Sequence, residues 1–134
     1  NTFLEQLNEI KLFNYDYIYG NKRFVPFKHY SELVITEIFN ILFDCYDDKH
    51  TFLTIEEKLK YSEKLKGSFI KWLCKYCEND IIPDKYIDNS KSYENVKIYG
   101  CLETKELYIQ AIIDYISGMT DHFAIEIFNE LITY

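Results

Sequence analysis

The sequence predicts an all-α fold, and three observations carry that reading. Apolar residues recur at spacings of three and four along most of the chain. Glycines, prolines and small polar residues fall where helices would start or stop. The chain has 134 residues, 48% hydrophobic and 18% aromatic, which is enough to build one core and to leave apolar surface for a further part. The pattern predicts about five main helices with a long irregular connection, in a single domain over residues 1–134.

The first amphipathic segment carries Phe3, Leu4, Leu7 and Ile10 and runs into the aromatic series Phe13, Tyr15, Tyr17 and Tyr19 before Gly20. Alternating aromatics also fit a strand. Pro26 then stands where a first helical turn accepts it, and Phe27, Tyr30, Val34, Ile38, Ile41 and Cys45 follow on one stripe. That helix should end in the solvated turn Asp47-Asp48-Lys49-His50, whose adjacent acidic pair is poor metal geometry.

Thr54-Ile55-Glu56-Glu57 reads as a capping box opening a third long helix, with Ile55, Leu59, Leu65, Phe69, Trp72 and Tyr76 on its inner face. Its outer face holds Glu56, Glu57, Lys58, Lys60, Glu63, Lys64 and Lys66, with Glu56 and Lys60 in the favourable i,i+4 order. Residues 78–102, with Pro83, Asn89, Ser90, Ser92 and Gly100, read as an irregular connection containing a short helix. A mostly buried helix should follow from Lys105 to Ser117, carried by Leu107, Tyr108, Ala111, Ile112, Tyr115 and Ile116. Gly118 is placed to close it in a left-handed conformation, and Thr120 or Asp121 to cap the next helix. That last helix carries Ala124, Ile127, Phe128 and Leu131 on one side and Glu126, Asn129 and Glu130 on the other.

The eleven residues Asp114-Tyr115-Ile116-Ser117-Gly118-Met119-Thr120-Asp121-His122-Phe123-Ala124 are the most informative stretch. They resemble the D-Y-I-A/S-G-M-T-D-R/H-F/Y-A block near the C-terminus of bacterial deoxyguanosine triphosphate triphosphohydrolases and their relatives, metal-dependent enzymes of the HD superfamily. Residues 12–19 resemble the F-x-Y-x-x-I/V-Y stretch before the next long helix of that family, which favours helix over strand there. HD enzymes hold a divalent metal with a His, a contiguous His-Asp pair and a distant Asp. The three histidines here, His29, His50 and His122, are followed by Tyr30, Thr51 and Phe123. The resemblance therefore implies the C-terminal region of a longer enzyme, inactive alone, with no catalytic residue and no metal ligand in this chain. Mg or Mn would be held by a separate N-terminal HD domain. The intact enzyme would release deoxynucleoside and inorganic triphosphate, a metal-activated water attacking the α-phosphate of a dNTP. In the motif, Asp114, Tyr115, Gly118, Met119, Thr120 and Asp121 are expected to be mainly structural.

Candidate substrate contacts lie in the segment from Asn21 to Tyr30. Arg23 is the only arginine in the chain, and its guanidinium suits bidentate phosphate contact, while Lys28 offers a point charge. The resemblance implies loosely that Arg23, Lys28 and Tyr30 help hold nucleotide. The alternative is a solvated basic turn with Tyr30 in the core.

The net charge of −7 argues against a generic nucleic-acid surface. No run of about 18 apolar residues suggests a membrane span, and no signal peptide is evident, so a cytoplasmic protein is expected. A homo-oligomer is the expected assembly, and a helical regulatory or oligomerisation module is the competing function. The lone C-x-x-C of Cys74 and Cys77, with Cys45 and Cys101 scattered, is weak for zinc, and a helix C-terminus disfavours redox thiolates. Buried or half-buried reduced thiols are the expectation.

Overall fold

A computed structural model describes residues 2–90 and 97–133, and among these only helices and turns occur. In chain order they are α1 (Thr2–Phe13), α2 (Val25–Phe43), α3 (Thr51–Lys58), α4 (Glu63–Tyr76), the four-residue α5 (Ile87–Ser90), α6 (Lys105–Ser117) and α7 (Asp121–Ile132). The all-α prediction holds. Ser92 lies outside the described residues. The chain divides into two compact units, Asn1–Leu33 and Val34–Tyr134.

In the first unit the aromatic series is helical. α1 passes into a π-helical turn over Asn14–Tyr19, closed by the Gly20 N–H on the Tyr15 carbonyl at 2.6 Å. This places Tyr17 one turn beyond Phe13, with ring centroids 4.9 Å apart. A 3-10 turn over Lys22–Phe24 follows, with Asn21 Oδ1 accepting from the Arg23 N–H at 2.9 Å. α2 then starts at Val25, with Pro26 in its first turn. None of residues 2–33 is buried. Phe3 is 71% exposed and Tyr15 69% exposed. Phe27 and Tyr30 are exposed as well, so the apolar stripe of α2 enters the core only from Val34 onward, through Val34, Ile38 and Leu42.

The second unit is built around α4, which touches α3, α5, α6 and α7. Leu65, Phe69, Leu73 and Cys74 are fully enclosed on its inner face. They meet Tyr108, Ala111, Ile112 and Tyr115 of α6 and Ile127 and Phe128 of α7 in one core. Phe69 is the aromatic centre, with its ring 5.0 Å from Tyr115 and 6.0 Å from Tyr108. Ser68 Oγ donates to the Lys64 carbonyl at 2.7 Å, which leaves the Tyr115 hydroxyl as donor in their 2.5 Å contact.

The expected third long helix is two helices. α3 starts three residues before the supposed capping box, and Leu59 ends it with its N–H on the Ile55 carbonyl. Thr54 does not cap, because its hydroxyl donates back to the His50 carbonyl at 3.2 Å. The turn before α3 is instead tied by Asp47, which accepts from the N–H groups of Lys49 and His50 at 2.9 and 2.7 Å. The Glu56–Lys60 pair is likewise absent. Glu56 accepts from Lys85 at 2.6 Å and from the Tyr86 hydroxyl at 2.7 Å, pulling the connection after α4 onto α3. A break at Leu59–Ser62 turns α4 back, so that Leu59 and Leu65, both buried, serve one core from two directions.

The connection is ordered at its far end by two backbone bonds, Tyr99 N–H to the Tyr76 carbonyl at 3.1 Å and Glu78 N–H to the Gly100 carbonyl at 2.8 Å. Gly100 (φ +52°) and Leu102 (φ 54°) both take left-handed backbone there. A side chain at Gly100 would also meet the Glu103 carboxylate at 2.9 Å. Leu102 accepts the strain because its side chain is buried.

Burial raises the phenol pKa values of Tyr99 and Tyr108 far above normal, and those of Tyr86 and Tyr115 to about 12. An unfolded tyrosine ionises near pH 10. These groups bind protons more tightly in the folded chain, so the stability they contribute is present below about pH 10 and is lost as pH rises toward 12. Phenolate absorbance of Tyr86, Tyr99, Tyr108 and Tyr115 should therefore appear only together with loss of helical circular dichroism.

Candidate functional site

The motif forms the turn between α6 and α7. Thr104 caps α6 by accepting from the Leu107 N–H, and Thr120 caps α7 by accepting from the Phe123 N–H at 3.2 Å. Of the two capping candidates Thr120 is therefore the cap, while Asp121 occupies the first helical position, where its charge suits the helix dipole. Gly118 departs from expectation: its φ is −86° and ψ −3°, in the right-handed helical region. A side chain there would meet only the Asp114 and Tyr115 carbonyls at 3.6 Å, an ordinary contact. The helix ends by bifurcated bonding of the Gly118 N–H to the Asp114 and Tyr115 carbonyls, a tightened last turn that does not need a left-handed residue.

Asp114 is the polar hub. Its Oδ2 accepts from the hydroxyl of Tyr99 at 2.9 Å, and its Oδ1 from Gln110 Nε2 at 2.7 Å. Tyr99 is buried, so this carboxylate anchors the preceding connection to α6. The sequence pointed to Asp114 but not to Tyr99, whose partner is distant in the pattern. Tyr115 is buried against Phe69, and Met119 is half-buried. Around Gly118 a shallow groove of about 230 Å³ is lined by Trp72, Tyr115, Gly118, Met119, Thr120 and Phe123.

Arg23, Lys28 and Tyr30 stand together in the other unit, on the 3-10 turn and the first turns of α2, and all are exposed. The core role weighed for Tyr30 is therefore not seen within its own unit.

A second cavity of about 400 Å³ lies among Asp47, Asp48, His50, Asp80, Cys101 and Glu103. Two of its carboxylates already serve backbone N–H groups, Asp47 as described and Glu103 on the Cys101 N–H at 2.8 Å. Among the described residues no group of three or more His, Cys, Asp or Glu side chains is arranged to hold a metal ion. The side chains described thus do not fit the catalytic metal of HD enzymes.

Cys45, Cys74 and Cys77 are buried, as expected, whereas Cys101 is exposed. Burial pushes the thiols of Cys45 and Cys74 up to about 11 and that of Cys77 to about 12. Desolvation and the nearby carboxylate of Glu103 also raise Cys101. Iodoacetamide at neutral pH should label Cys101 alone and slowly, with the other three reacting only after denaturation. Native labelling of all four, read by mass, would contradict this packing.

The sequence that carries the two caps and the Asp114 hub is similar to a known family over part of the chain. Residues 102–130 match the model of the phosphohydrolase-associated domain. This domain is found with HD-domain dNTP triphosphohydrolases, which are metal-dependent. The matched segment contains α6, the groove turn and nearly all of α7, and takes its core partners from α4. No curated protein and no solved structure matches the chain at a significant level. No helix among the described residues is long and apolar enough to cross a membrane.

Proposed function

We propose that the chain is the C-terminal region of an HD-type dNTP triphosphohydrolase, of the kind that acts on dGTP, and that it braces the catalytic body without supplying catalytic groups. The observation that carries this reading is the match of residues 102–130 to the phosphohydrolase-associated domain. The character of the first unit supports it. A helix pair with no buried residue and with Phe3, Leu4, Ile10, Phe13, Tyr15 and Tyr17 all exposed leaves a large apolar surface that a folded neighbour would cover. In the intact enzyme an HD domain would hold Mg or Mn and activate the water that attacks the α-phosphate. Arg23 and Lys28 would meet the triphosphate, and Tyr30 the nucleoside.

The test begins with the coding sequence upstream, which should contain a His, a His-Asp pair and a later Asp. The 134-residue chain alone should release no triphosphate from any dNTP with Mn present. In the intact enzyme, Arg23→Ala or Lys28→Ala should lower kcat/KM by about tenfold or more, about 1.4 kcal/mol, with little change in melting temperature. Tyr30→Phe separates a nucleotide-contacting hydroxyl, which loses rate, from a packing ring, which tolerates the change. Full activity in all three variants would return the segment to a solvated turn. The exposed first unit also fits a regulatory or oligomerisation module, for which the isolated chain would self-associate and the upstream sequence would lack the HD set.

A further inference from the structure

The bare backbone at Gly118 is not required by the fold of this chain. Its φ and ψ are open to any residue, and a Cβ would touch nothing closer than 3.6 Å. Alanine at that position would even raise helix propensity. What the absence of a side chain does preserve is the groove above it, walled by the half-buried Trp72, Met119 and Phe123. Large apolar side chains line a depression there of about 230 Å³, room for one sizeable side chain from outside.

The charge on the α6 and α7 side of the groove is one-sided, while α4 carries Lys71 and Lys75 close to Trp72 in sequence. Residues 106–134 contain no Lys or Arg, but they carry Glu106, Asp114, Asp121, Glu126 and Glu130. Three of these carboxylates are engaged within the unit. Asp114 holds Tyr99 and Gln110, Glu126 faces Lys64 at 3.5 Å, and Glu130 accepts from the Lys64 N–H. Asp121, next to Thr120 on the groove wall, is exposed, with no hydrogen bond or ion pair among the described residues. A cationic group arriving beside the groove would find an unengaged carboxylate and no opposing positive side chain from α6 or α7 beyond Lys105.

We infer that the Gly118 groove is the docking point of the phosphohydrolase body, receiving from it a large apolar side chain flanked by Arg or Lys, whose backbone passes close over Gly118. This rests on the function proposed above and deepens it by naming the contact surface and the chemistry of its partner. The apolar anchor supplies contact area within the groove, and the flanking cation pairs with Asp121 and sets the orientation. The domain would then carry two contact regions, the uncovered first unit and this groove.

Hydrogen exchange on the intact polypeptide and on the isolated chain tests the inference. Amides 118–123 should exchange about tenfold more slowly in the intact protein. Gly118→Leu, which fills the groove, should abolish that protection while the isolated variant melts like the wild type. Should Gly118→Leu fail to fold, Gly118→Ala and Asp121→Lys keep the test open. Each should weaken protection of 118–123 in the intact protein, the lysine variant most at low salt. Equal exchange of 118–123 in the two contexts overturns the inference. If residues 2–33 are protected in the intact protein and the groove is not, the inference fails while the proposed function stands. If neither is protected, the proposed function fails as well. Protection of 118–123 that rises with concentration of the isolated chain would make a second copy the occupant and likewise overturn the inference.

Discussion

Tyr108→Ala should leave the second unit largely unfolded at room temperature. Tyr108 is fully enclosed, with its ring 5.4 Å from that of Tyr46 and 6.0 Å from that of Phe69. Its hydroxyl donates to the Leu42 carbonyl at 2.6 Å, which fastens the end of α2 to α6. Truncation removes a large aromatic from a packed core at a cost of about 3–5 kcal/mol, and strands a buried carbonyl for about 1–3 kcal/mol more. Single domains hold only about 5–15 kcal/mol in total, so one residue can consume most of it. Tyr108→Phe keeps the ring and loses only the hydrogen bond, for about 1–2 kcal/mol. Urea unfolding followed by circular dichroism measures both. A wild-type midpoint for Tyr108→Ala would mean that α6 does not pack as described.

Asp114→Ala is expected to destabilise the chain by about 2 kcal/mol, because the buried Tyr99 hydroxyl loses its charged acceptor and Gln110 loses its partner. Asp114→Asn retains an oxygen and should cost about half as much. A double-mutant cycle sharpens the assignment. Tyr99→Phe made on top of Asp114→Ala should add less than it does alone, since the hydroxyl to be removed has already lost its acceptor. This result would establish the motif aspartate as an internal brace. If Asp114→Ala melts like the wild type yet impairs the intact enzyme, Asp114 would instead be a contact to the body or to substrate.

Much of this architecture was legible in the chain itself, because helices announce themselves through local period and caps. Lys105–Ser117 is bounded as the apolar spacing and the following Gly118 indicated, and Thr120 caps the next helix as its hydroxyl allows. The buried state of Cys45 followed from its place at the end of the α2 stripe, those of Cys74 and Cys77 agree with the general expectation of buried or half-buried thiols, and the exposed Cys101 departs from it. The limits of local reasoning are equally specific. Thr54-Ile55-Glu56-Glu57 has the composition of a capping box, but Glu56 is taken by Lys85 and Tyr86, residues nearly thirty positions away in a connection whose path no local rule supplies. Once α3 and α4 both have to face one core, the chain breaks at Leu59–Ser62 despite a continuous helical pattern.

Gly118 shows the same division at the site. A glycine after a helical run usually signals a left-handed stop, yet here a tightened turn satisfies the last carbonyls and leaves glycine's conformational freedom unused. Composition and period determined that this chain is helical, and the 114–124 block pointed to the phosphohydrolase family. Only the tertiary structure decided that residues 2–33 bury nothing of their own, that Asp114 closes on Tyr99, and that Gly118 lies under an open groove. The physical reason is range. Caps and periodicity act over one or two turns of backbone, whereas burial, carboxylate partners and the space above a glycine depend on side chains brought in from distant positions.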